Sequence, residues 1–499
     1  MVTLEFNLLE EILRFAKSKR KRLYLVGGYL RDILLKRQKP NPDIDFCLEK
    51  QAISFGRILA RKIHAGFVVL DKEHGCCRLV KRIQEKTYTF DFADFRGKTL
   101  KGDLLHRDFS INSLALELSD FLTAKKFPKA LIDPFGAQKD LKLKRIQIIH
   151  PAVFDEDPLR ILRAFSLSAI FGFKITPEAL KLIKSKKEKL GNVSFERIRD
   201  ELFKILSQPN AYDYLILLDQ LKILKIIIPE IEIMRGVNQG PYHHLDVLKH
   251  SFEAVKKLEE IIIDFKNNPD IRVFLYQIIS SERTRLALLK LGTFLHDIGK
   301  PQAKRRKAGK TIFHGHEKVG AHLTRNIARR LKLSNDELEA LSKIVFWHLR
   351  PGYLADSPQP SARAKFRYFR DTGIEAISVL LVSLADQRAT RGRLTTQQSR
   401  AQHELVVAAL IREYFRKQKE KKFTRLVSGD DLIRKFKLTP SPLIGEILSE
   451  IEELQAIGKV KTKKEALEKA KKLIGTPRLL VLRGCCPRGQ RRQNECREK

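Results

Sequence analysis

"LVGGYLRDILLKRQKPNPDIDF", residues 25–46, decides the fold of the N-terminal part of the chain. It reads as a short apolar strand, a glycine turn at Gly27 and Gly28, a helix, and a second strand with Asp43 and Asp45. Residues two apart in a strand point to one face, so the two carboxylates are presented together. Hard divalent cations such as Mg²⁺ take oxygen ligands and keep positions for substrate phosphates. The stretch therefore predicts a metal site for phosphoryl-type transfer, with glycine backbone N–H groups able to approach a triphosphate closely.

The surrounding sequence predicts a small mixed α/β unit. Residues 5–19 have the pattern of a helix, and strand patterns occur in "GFVVLDK", "CRLVKRI", "YTFDFADF" and "NSLALEL" before the unit ends near residue 148. Asp91, in "TFDFADF", is the best third carboxylate for the metal site, with Asp94 as its alternative. From "DEDPLRILRAF" onward the pattern is almost entirely helical.

The charge balance points to a polyanionic partner. The 499-residue chain has 97 Lys and Arg against 59 Asp and Glu, a formal net charge of +38. Such an excess favours nucleic acid, held by salt-dependent phosphate contacts. Enrichment in charged residues of both signs would not leave this imbalance. A membrane surface is the remaining alternative.

Other compositional features exclude several classes of protein. The chain is 43% hydrophobic, which is ordinary for a globular protein, and it has no apolar run of about 18 residues. Its first residues carry acids where a signal peptide has a basic start, so we expect a cytoplasmic location and no membrane partner. The cysteines lack the spacing of a disulfide framework or a zinc site. Residues 477–499 have the composition of a disordered basic tail.

Five ordered motifs resemble those of the class II tRNA nucleotidyltransferase/poly(A) polymerase family. The first is the stretch quoted above. The others are "HRDFSINSLALEL" (106–118), "LIDPFGAQKDLKLKRIQII" (131–149), "EDPLRILRAF" (156–165) and "ERIRDELFKIL" (196–206). Five matches in the family's order make chance negligible.

The resemblance implies roles for these residues. Asp43, Asp45 and Asp91 would be catalytic carboxylates, with Mg²⁺ held by Asp43 and Asp45. The nucleotide-binding set implied by the family comprises Gly27, Gly28, Arg31, Asp32, Arg107, Asp108, Asn112, Glu156, Asp157 and Arg160. Arg107 and Asp108 match the pair associated with the ribose, whose 2′-OH distinguishes ribonucleotides. The family usually has Arg at the position of His106, whose role stays open.

The motif "EDPLR" suggests how a base is chosen without a template. Asp157 and Arg160 are three residues apart, which on one helix would place them on one face. Asp157 can accept from the exocyclic amine of cytosine or adenine, and Arg160 can donate to the neighbouring ring nitrogen. Uracil and guanine would fail both contacts, at about 1–3 kcal/mol each. The family implies the same roles, with Glu156 orienting Arg160. Arg163, Arg197 and Arg199 are candidates for RNA phosphates.

A short connection distinguishes this chain within the family. Members that add the full CCA, and poly(A) polymerases, generally have a long flexible segment between the third-carboxylate strand and the second motif. Here only "GKTLKGDLL" separates Arg96 from His106. The resemblance is therefore to members that add only CC and leave the terminal A to a separate A-adding enzyme.

Downstream motifs resemble the HD superfamily of metal phosphohydrolases. "LDVLKHSFEAV", "FLHDIGKP", "FHGHEKVGA", "VFWHLRPG" and "SLADQRA" carry the likeness. His250, His296, Asp297 and Asp386 match the ligand positions, and His316 and His348 would take a second metal or bind phosphate. Such ligands suit Ni²⁺, Mn²⁺ or Fe²⁺, which can activate water for attack on a phosphoester.

The resulting expectation is an α/β nucleotidyltransferase head (mixed sheet with helices) followed by an all-α neck, HD domain and helical tail. The boundaries expected are head 1–148, neck 149–236, HD domain 237–395, C-terminal tRNA-binding region 396–476 and tail 477–499. The expected function is addition of C to tRNA ends from CTP, with ATP as a further substrate if the full CCA is made. The alternatives are a poly(A) polymerase, a phosphohydrolase with an RNA-binding head, and an RNA-binding scaffold. "SGDD" (428–431) is expected to cap a helix.

Overall fold

A computed structural model describes residues 3–37, 41–123, 128–308, 310–392, 394–420 and 424–474. The chain divides into two units. The first contains residues 1–232 with 327–334, and the second contains residues 233–326 with 335–499. The expected tail at 477–499 lies outside the described residues, and the finer five-part division stays a prediction.

The first unit is built on a six-stranded mixed sheet in the order β3-β4-β5-β2-β1-β6. Its strands are β1 (Tyr24–Val26), β2 (Asp43–Leu48), β3 (Gly66–Asp71), β4 (Cys76–Ile83), β5 (Lys86–Asp94) and β6 (Ala115–Glu117). Strands β2 and β5 pair in parallel, and the other neighbours pair antiparallel. All the strands expected from sequence are present.

The buried face of this sheet fixes which residues face the other way. Ile44 and Phe46 of β2 and Phe90 and Phe92 of β5 are buried, and the rings of Phe46 and Phe92 stack 4.9 Å apart. Because strand side chains alternate, the odd-numbered residues of both strands lie on the opposite face. The helices of this part are α1 (Thr3–Ser18), α2 (Gly28–Leu34), α3 (Ala52–Lys62), α4 (Leu100–Leu105), α5 (Leu118–Leu122) and α6 (Ala137–Lys142).

The first unit continues as helices. They are α7 (Val153–Glu156), α8 (Arg160–Phe171), α9 (Pro177–Lys186), α10 (Phe195–Leu206), α11 (Ala211–Gln220) and α12 (Ile223–Ile227), with a parallel ribbon of β7 (Arg145–Ile146) and β8 (Lys174–Ile175). Short 3-10 helices cover Ser110–Asn112, Lys187–Asn192 and Pro229–Met234.

The placement of Asp157 and Arg160 on one helix was wrong. Helix α7 ends at Glu156, Asp157 has extended backbone (φ −148°, ψ 101°), and α8 starts at Arg160. Asp157 precedes Pro158, whose ring disfavours helical backbone in the residue before it. The two side chains must therefore meet across a turn.

The second unit is mostly helical. Its first part contains α13 (Val247–Asp264), α14 (Pro269–Leu275), α15 (Arg285–Leu295), α16 (Lys300–Ala303), α17 (His316–Arg330), α18 (Asn335–Trp347), α19 (Arg350–Ala355), α20 (Ala362–Thr372), α21 (Ala376–Ala389) and α22 (Gln397–Lys419). Two antiparallel ribbons join β9 (Ile278–Ser280) with β10 (Arg283–Thr284), and β11 (Arg305–Lys307) with β12 (Lys310–Ile312). A 3-10 turn covers Gly373–Glu375. Residues 376–385 of α21 are all buried, so this helix is the centre of the core.

Three helices complete the second unit: α23 (Gly429–Phe436), α24 (Pro442–Ala456) and α25 (Lys463–Ile474). They share a separate apolar cluster that includes Leu432, Ile447 and Ile451. The expected cap at "SGDD" is confirmed, since Ser428 and Asp431 form a capping box. The fold class expected from sequence is also confirmed. None of the helices in the described ranges combines the length and apolar character needed to cross a membrane.

Candidate functional site

The three head carboxylates lie on one face of neighbouring parallel strands. Asp45 of β2 is directly opposite Asp91 of β5, and Asp43 is two residues before Asp45. The pKa of Asp45 is raised to about 6, because burial and the negative charges of Asp91 and Asp43 together outweigh the opposing positive charge of Arg107. Such crowded carboxylates are stabilised by a cation between them. An all-oxygen donor set of this kind fits a hard divalent ion.

The sheet register decides between the two candidates for the third carboxylate. Asp94 is opposite Leu48, on the other face of the sheet from Asp45, and its Oδ1 accepts a hydrogen bond from the N–H of Ala52 at 2.7 Å. Asp94 therefore fixes the start of α3 and does not join the other carboxylates. Asp91 has both oxygens engaged by Arg78, with Nε and Nη2 each 2.8 Å away.

The glycine turn fits closely against the site. Gly27 has φ +74°, and a Cβ there would lie 2.9 Å from Arg107 Nη1 and 3.1 Å from Asp45 Oδ2. A side chain at this position would displace both groups. The N–H of Gly27 donates to the carbonyl of Leu114 at 3.3 Å, so it is not available to a triphosphate unless that bond opens.

Residues of the first and second motifs form one polar network. Arg31 donates to Asp32 and to Asn112 Oδ1, and Asn112 Nδ2 donates to Asp108 Oδ1 at 2.9 Å. Arg163 Nε lies 2.6 Å from Asp108 Oδ2. Burial raises the pKa of Asp108, but the charge of Arg163 and the hydrogen bond from Asn112 outweigh it, so that the pKa is lowered. Asp108 is thus held as a fixed anion.

A cavity of about 1130 Å³ brings many of these residues together. The predicted residues in its wall are Gly27, Gly28, Asp45, His106, Arg107, Asp108, Asn112, Glu156, Asp157, Arg160, Arg163 and Arg197. Arg31 and Asp32 are buried behind it, and Asp43 is exposed. The cavity is large enough for a nucleoside triphosphate.

Residues of the "EDPLR" motif meet in this wall despite the break between α7 and α8. Arg160 Nη1 donates to Glu156 Oε2 at 3.0 Å and to the carbonyl of Val153 at 3.2 Å. Its Nη2 donates to the carbonyl of His106 at 2.6 Å. Asp157 Oδ2 accepts from Arg197 Nη2 at 2.7 Å. Arg160 is therefore held rigidly by several contacts, whereas Asp157 is paired with Arg197, whose side chain is half exposed.

The arginines expected to bind RNA separate by location. Arg163 and Arg197 line the cavity and contact Asp108 and Asp157. Arg199 is outside the cavity wall, where its Nε lies 2.8 Å from Asp200 Oδ1. A role for Arg163 and Arg197 in binding RNA stays a prediction.

The second unit contains a buried cluster of four histidines and two aspartates. His250 Nε2 is 2.9 Å from Asp386 Oδ1 and 3.6 Å from Asp297 Oδ2, and His296 Nε2 is 3.2 Å from Asp297 Oδ2. On the other oxygen, Asp297 Oδ1 is 3.4 Å from His316 Nε2 and 3.7 Å from His348 Nε2. Both triads, His250–His296–Asp297 and Asp297–His316–His348, have the spacing to hold a metal ion, and they share Asp297.

Backbone contacts prepare three of these histidines to ligate. The Nδ1 atoms of His296, His316 and His348 lie 2.7, 2.8 and 2.6 Å from the carbonyls of Thr293, Phe313 and Val345, three residues earlier. An Nδ1–H donated to a carbonyl leaves the Nε2 lone pair for a metal. Within the described part of the chain, His296 Nε2 and Asp297 Oδ1 are buried without a hydrogen bond. The donor set therefore fits metal ions.

The electrostatics of the cluster point the same way. Burial lowers the pKa of His296, but the charge of Asp297 outweighs it and raises the pKa to about 10. Burial lowers the pKa of His348 to about 3. Positive charge on His296 and Lys300 offsets the negative charge of Asp297, and the ammonium of Lys300 lies 2.6 Å from Asp297 Oδ2. A metal ion would supply that compensating charge instead.

A second cavity of about 830 Å³ adjoins this cluster. His348 and Asp386 of the cluster are in its wall, together with Lys300 and neutral polar residues. The neutral set is Ser383, Gln387, Thr390, Thr395, Thr396, Gln398, Ser399 and Gln402. Gln387 Oε1 and His403 Nδ1, also in this wall, have no hydrogen-bond partner among the described residues.

Comparisons with known proteins match the successive parts of the chain to four family models. The model "Poly A polymerase head domain" matches residues 23–147, and "Probable RNA and SrmB- binding site of polymerase A" matches 172–234. The HD domain model matches 247–391, and tRNA nucleotidyltransferase domain 2 matches 375–470. An A-adding tRNA nucleotidyltransferase of Deinococcus radiodurans is 30% identical, over 89% of this chain and 93% of the relative. The chain belongs to the tRNA nucleotidyltransferase/poly(A) polymerase family.

Membership makes the chain an enzyme of the nucleotidyltransferase class, and the head and HD domains imply divalent metal binding. A CC-adding tRNA nucleotidyltransferase of Geobacter sulfurreducens is 28% identical, over 91% of this chain and 93% of the relative. The Thermotoga maritima CCA-adding enzyme complexed with tRNA has the same fold, with a TM-score of 0.58 at 24% identity over 93% of this chain and 94% of that one.

Several residues of the sites were not found from the sequence. Arg78 forms an ion pair with Asp91 from the neighbouring strand, and His150 contacts Glu156. Asp71, the last residue of β3, and His74, in the turn that follows, line the cavity of the head. The contact of Arg78 with Asp91 joins two different strands, so no spacing within one element signals it.

Proposed function

We propose that the chain adds cytidines, and stops after two, at the 3′ end of tRNA, using CTP and Mg²⁺ in the head. The reaction is attack by the RNA 3′-OH on the α-phosphate of CTP, with pyrophosphate leaving. Terminal A would then be added by a separate enzyme.

The observation that carries this proposal is the folded state of the short connection. Residues 100–105 form α4, capped by Thr99, whose hydroxyl accepts from the N–H of Gly102 at 3.2 Å. Asp103 is buried and binds the N–H of Arg96 at 3.2 Å and Arg107 Nη2 at 3.3 Å. The segment is therefore anchored on both sides, to Arg96 before it and to Arg107 at the start of the second motif. It has no length left for a mobile lever that would reshape the base pocket from C to A.

The remaining roles follow from the cavity wall. Asp43, Asp45 and Asp91 would hold Mg²⁺, which supplies charge stabilisation at the attacking and leaving oxygens when bound. Asp108, fixed by Asn112 and Arg163, is suited to hydrogen-bond a ribose hydroxyl. Arg160 and Asp157 would read the base edge, and Asp157 would exchange Arg197 for the exocyclic amine.

The named relatives do not decide the number of nucleotides added. One is A-adding at 30% identity and another is CC-adding at 28% identity, with nearly equal coverage. Overall identity is thus uninformative about this property, and the local structure of residues 97–105 carries more weight.

The length of the product tests the proposal. We expect tRNA lacking CCA to grow by two nucleotides with CTP, and by no more when ATP is added. tRNA ending in CC should not be extended by ATP. Growth by three nucleotides, or A addition to tRNA ending in CC, would refute the CC-only proposal. Long A tails would support a poly(A) polymerase, and no incorporation of labelled CTP would leave an RNA-binding protein.

A second function is favoured by the His/Asp cluster. We propose that it binds Ni²⁺, Mn²⁺ or Fe²⁺ and hydrolyses a phosphoester. The adjoining cavity favours a small substrate, because Lys300 is the one Lys or Arg in its described wall and already contacts Asp297 and Gln239. An RNA strand would require more cations. Protein loaded with Ni²⁺ or Mn²⁺ should cleave 2′,3′-cAMP or p-nitrophenyl phosphate, and inertness toward both would refute this function.

A further inference from the structure

Glu156 is the centre of a polar group that contains two histidines without an assigned role, His106 and His150. Its Oε2 accepts from Arg160 Nη1 at 3.0 Å. Its Oε1 lies 3.1 Å from His106 Nδ1 and 3.4 Å from His150 Nε2. Two imidazoles therefore face one oxygen of the carboxylate, while the base-reading arginine holds the other.

The backbone fixes the tautomer of His150. Its Nδ1 accepts a hydrogen bond from the N–H of Ala152 at 3.2 Å. A ring nitrogen that accepts has no proton, so in the neutral ring Nε2 carries it. That Nε2 is buried without a hydrogen bond of normal geometry among the described residues. Its N–H group is therefore placed to tighten onto Glu156.

His106 acts on Arg160 through two different groups. Its carbonyl accepts from Arg160 Nη2 at 2.6 Å, and its imidazole contacts Glu156, which binds the same guanidinium. An arginine at this position would place a permanent charge beside Glu156 and compete with Arg160 for its oxygens. Histidine supplies one directed contact without that competition.

We infer that His106 and His150 are positioning residues that hold Glu156, and through it Arg160, in the orientation that selects cytosine. This inference rests on the proposed base-reading role of Arg160. The two histidines contact neither base nor phosphate in this scheme. They restrict the carboxylate so that the guanidinium cannot rotate to accept a wrong base edge.

Amide side chains allow each contact to be kept or removed with little change in size. Asparagine places its amide near the Nδ1 position of histidine, and glutamine places it near the Nε2 position. For His150, which contacts Glu156 through Nε2, His150→Gln keeps the donor and His150→Asn removes it. For His106, which uses Nδ1, the order is reversed: His106→Asn keeps the contact and His106→Gln removes it.

The measurement is the ratio of kcat/KM for CTP to that for UTP on tRNA lacking CCA. We expect His150→Asn and His106→Gln each to lower this ratio about three- to tenfold, the effect of one lost polar contact. KM for CTP should rise while KM for tRNA stays constant. His150→Gln and His106→Asn should retain the ratio. His64→Asn, at an exposed site away from the cavity, is the control.

Two further outcomes separate this inference from the proposed function. If Arg160→Lys lowers the ratio but all four histidine variants leave it unchanged, the positioning role is refuted and base reading stands. If Arg160→Lys also leaves the ratio unchanged, base reading by Arg160 itself is refuted. If the ratio falls by the same factor in both variants of a histidine, the hydrogen bond to Glu156 is not the cause of the effect. That outcome would also refute the inference.

Discussion

At the scale of single residues, Gly27 couples the backbone turn to the chemistry of the head. It has φ +74° and ψ −139°, a region that side chains rarely adopt. A Cβ there would also meet Arg107 and Asp45. Gly373, in the second unit, has a similar backbone (φ 58°, ψ −130°), but a Cβ would meet nothing within 4 Å.

This pair separates backbone strain from a collision in the site. We expect Gly27→Ala and Gly373→Ala each to lower the free energy of unfolding by about 1–3 kcal/mol, because both force an alanine into a disfavoured conformation. Only Gly27→Ala should also lower kcat for cytidine addition, by at least about tenfold, since it displaces Arg107 and Asp45. Urea unfolding and primer extension measure the two effects. Full activity in folded Gly27→Ala would contradict the close fit.

Single residues also show where reading the sequence succeeds and fails. The alternation of β2 places Asp43 and Asp45 on one face, which any strand must do. The choice between Asp91 and Asp94 needed the register of β5 against β2, which the sequence left open. The error at Asp157 was avoidable, because Pro158 follows it. The contact of His106 with Glu156 joins residues 50 positions apart in the sequence, so no local pattern encodes it.

At the scale of elements, helices α20 and α24 are joined by a buried acid. Glu453 of α24 is 1% exposed. Its Oε2 accepts from Arg367 at 2.7 Å, and its Oε1 accepts from Arg363, both on α20. Burial raises the pKa of Glu453, but the hydrogen bonds from Arg367 and Arg363 outweigh it, so that the pKa is lowered. The charged form is thus favoured by folding.

The sign of the pH dependence follows from that lowered pKa. A group with a lower pKa in the folded state stabilises the fold above its unfolded pKa, and this contribution is lost as pH falls through the folded value. We expect Glu453→Gln to cost about 1–3 kcal/mol at pH 7. The difference from wild type should shrink as the pH falls below about 4.3, the ordinary value for glutamate. Urea unfolding at pH 7 and pH 4 measures it.

A matched control for this prediction is Glu468→Gln. Glu468 is exposed on α25, outside the contacts that join α20 to α24. It should change stability by less than about 0.5 kcal/mol at either pH. A Glu453→Gln cost that stays constant from pH 7 to pH 4 would show that packing, and not the charged form, accounts for the effect.

Elements were easier to predict than the contacts between them. Each strand of the head sheet was indicated by apolar alternation and glycine punctuation. The order β3-β4-β5-β2-β1-β6 and the parallel pairing of β2 with β5 were not, because pairing depends on which faces must be covered together. The motifs predicted the HD residues, but the membership of Asp297 in two triads depends on how α13, α15, α17 and α18 pack together.

At the scale of the whole molecule, the charge balance predicts how tRNA binding responds to salt. The net charge is +38, and each neutralised phosphate releases condensed counterions. We expect KM for tRNA to rise at least about tenfold between 50 and 200 mM KCl, with a linear log–log plot. KM for CTP should change much less, because CTP binds in a preformed cavity, where contacts to its base and ribose also contribute to binding. A tRNA KM independent of salt would contradict a predominantly electrostatic grip.

The two proposed centres should be separable, since each is contained within one unit. Asp45→Asn removes a carboxylate from the head and should lower cytidine addition at least about a hundredfold, with metal binding by the HD cluster intact. His296→Ala removes a metal ligand of the HD cluster that has no part in the head site. It should abolish binding of Ni²⁺ or Mn²⁺, measured by equilibrium dialysis, while cytidine addition is retained. Asp213→Asn, at an exposed position of α11, controls for loss of a negative charge. Independent sites have additive effects, so the double variant should show both losses and no more. If His296→Ala also stopped cytidine addition in a folded protein, the HD cluster would have to act on the head reaction, and the assignment of two separate functions would fail.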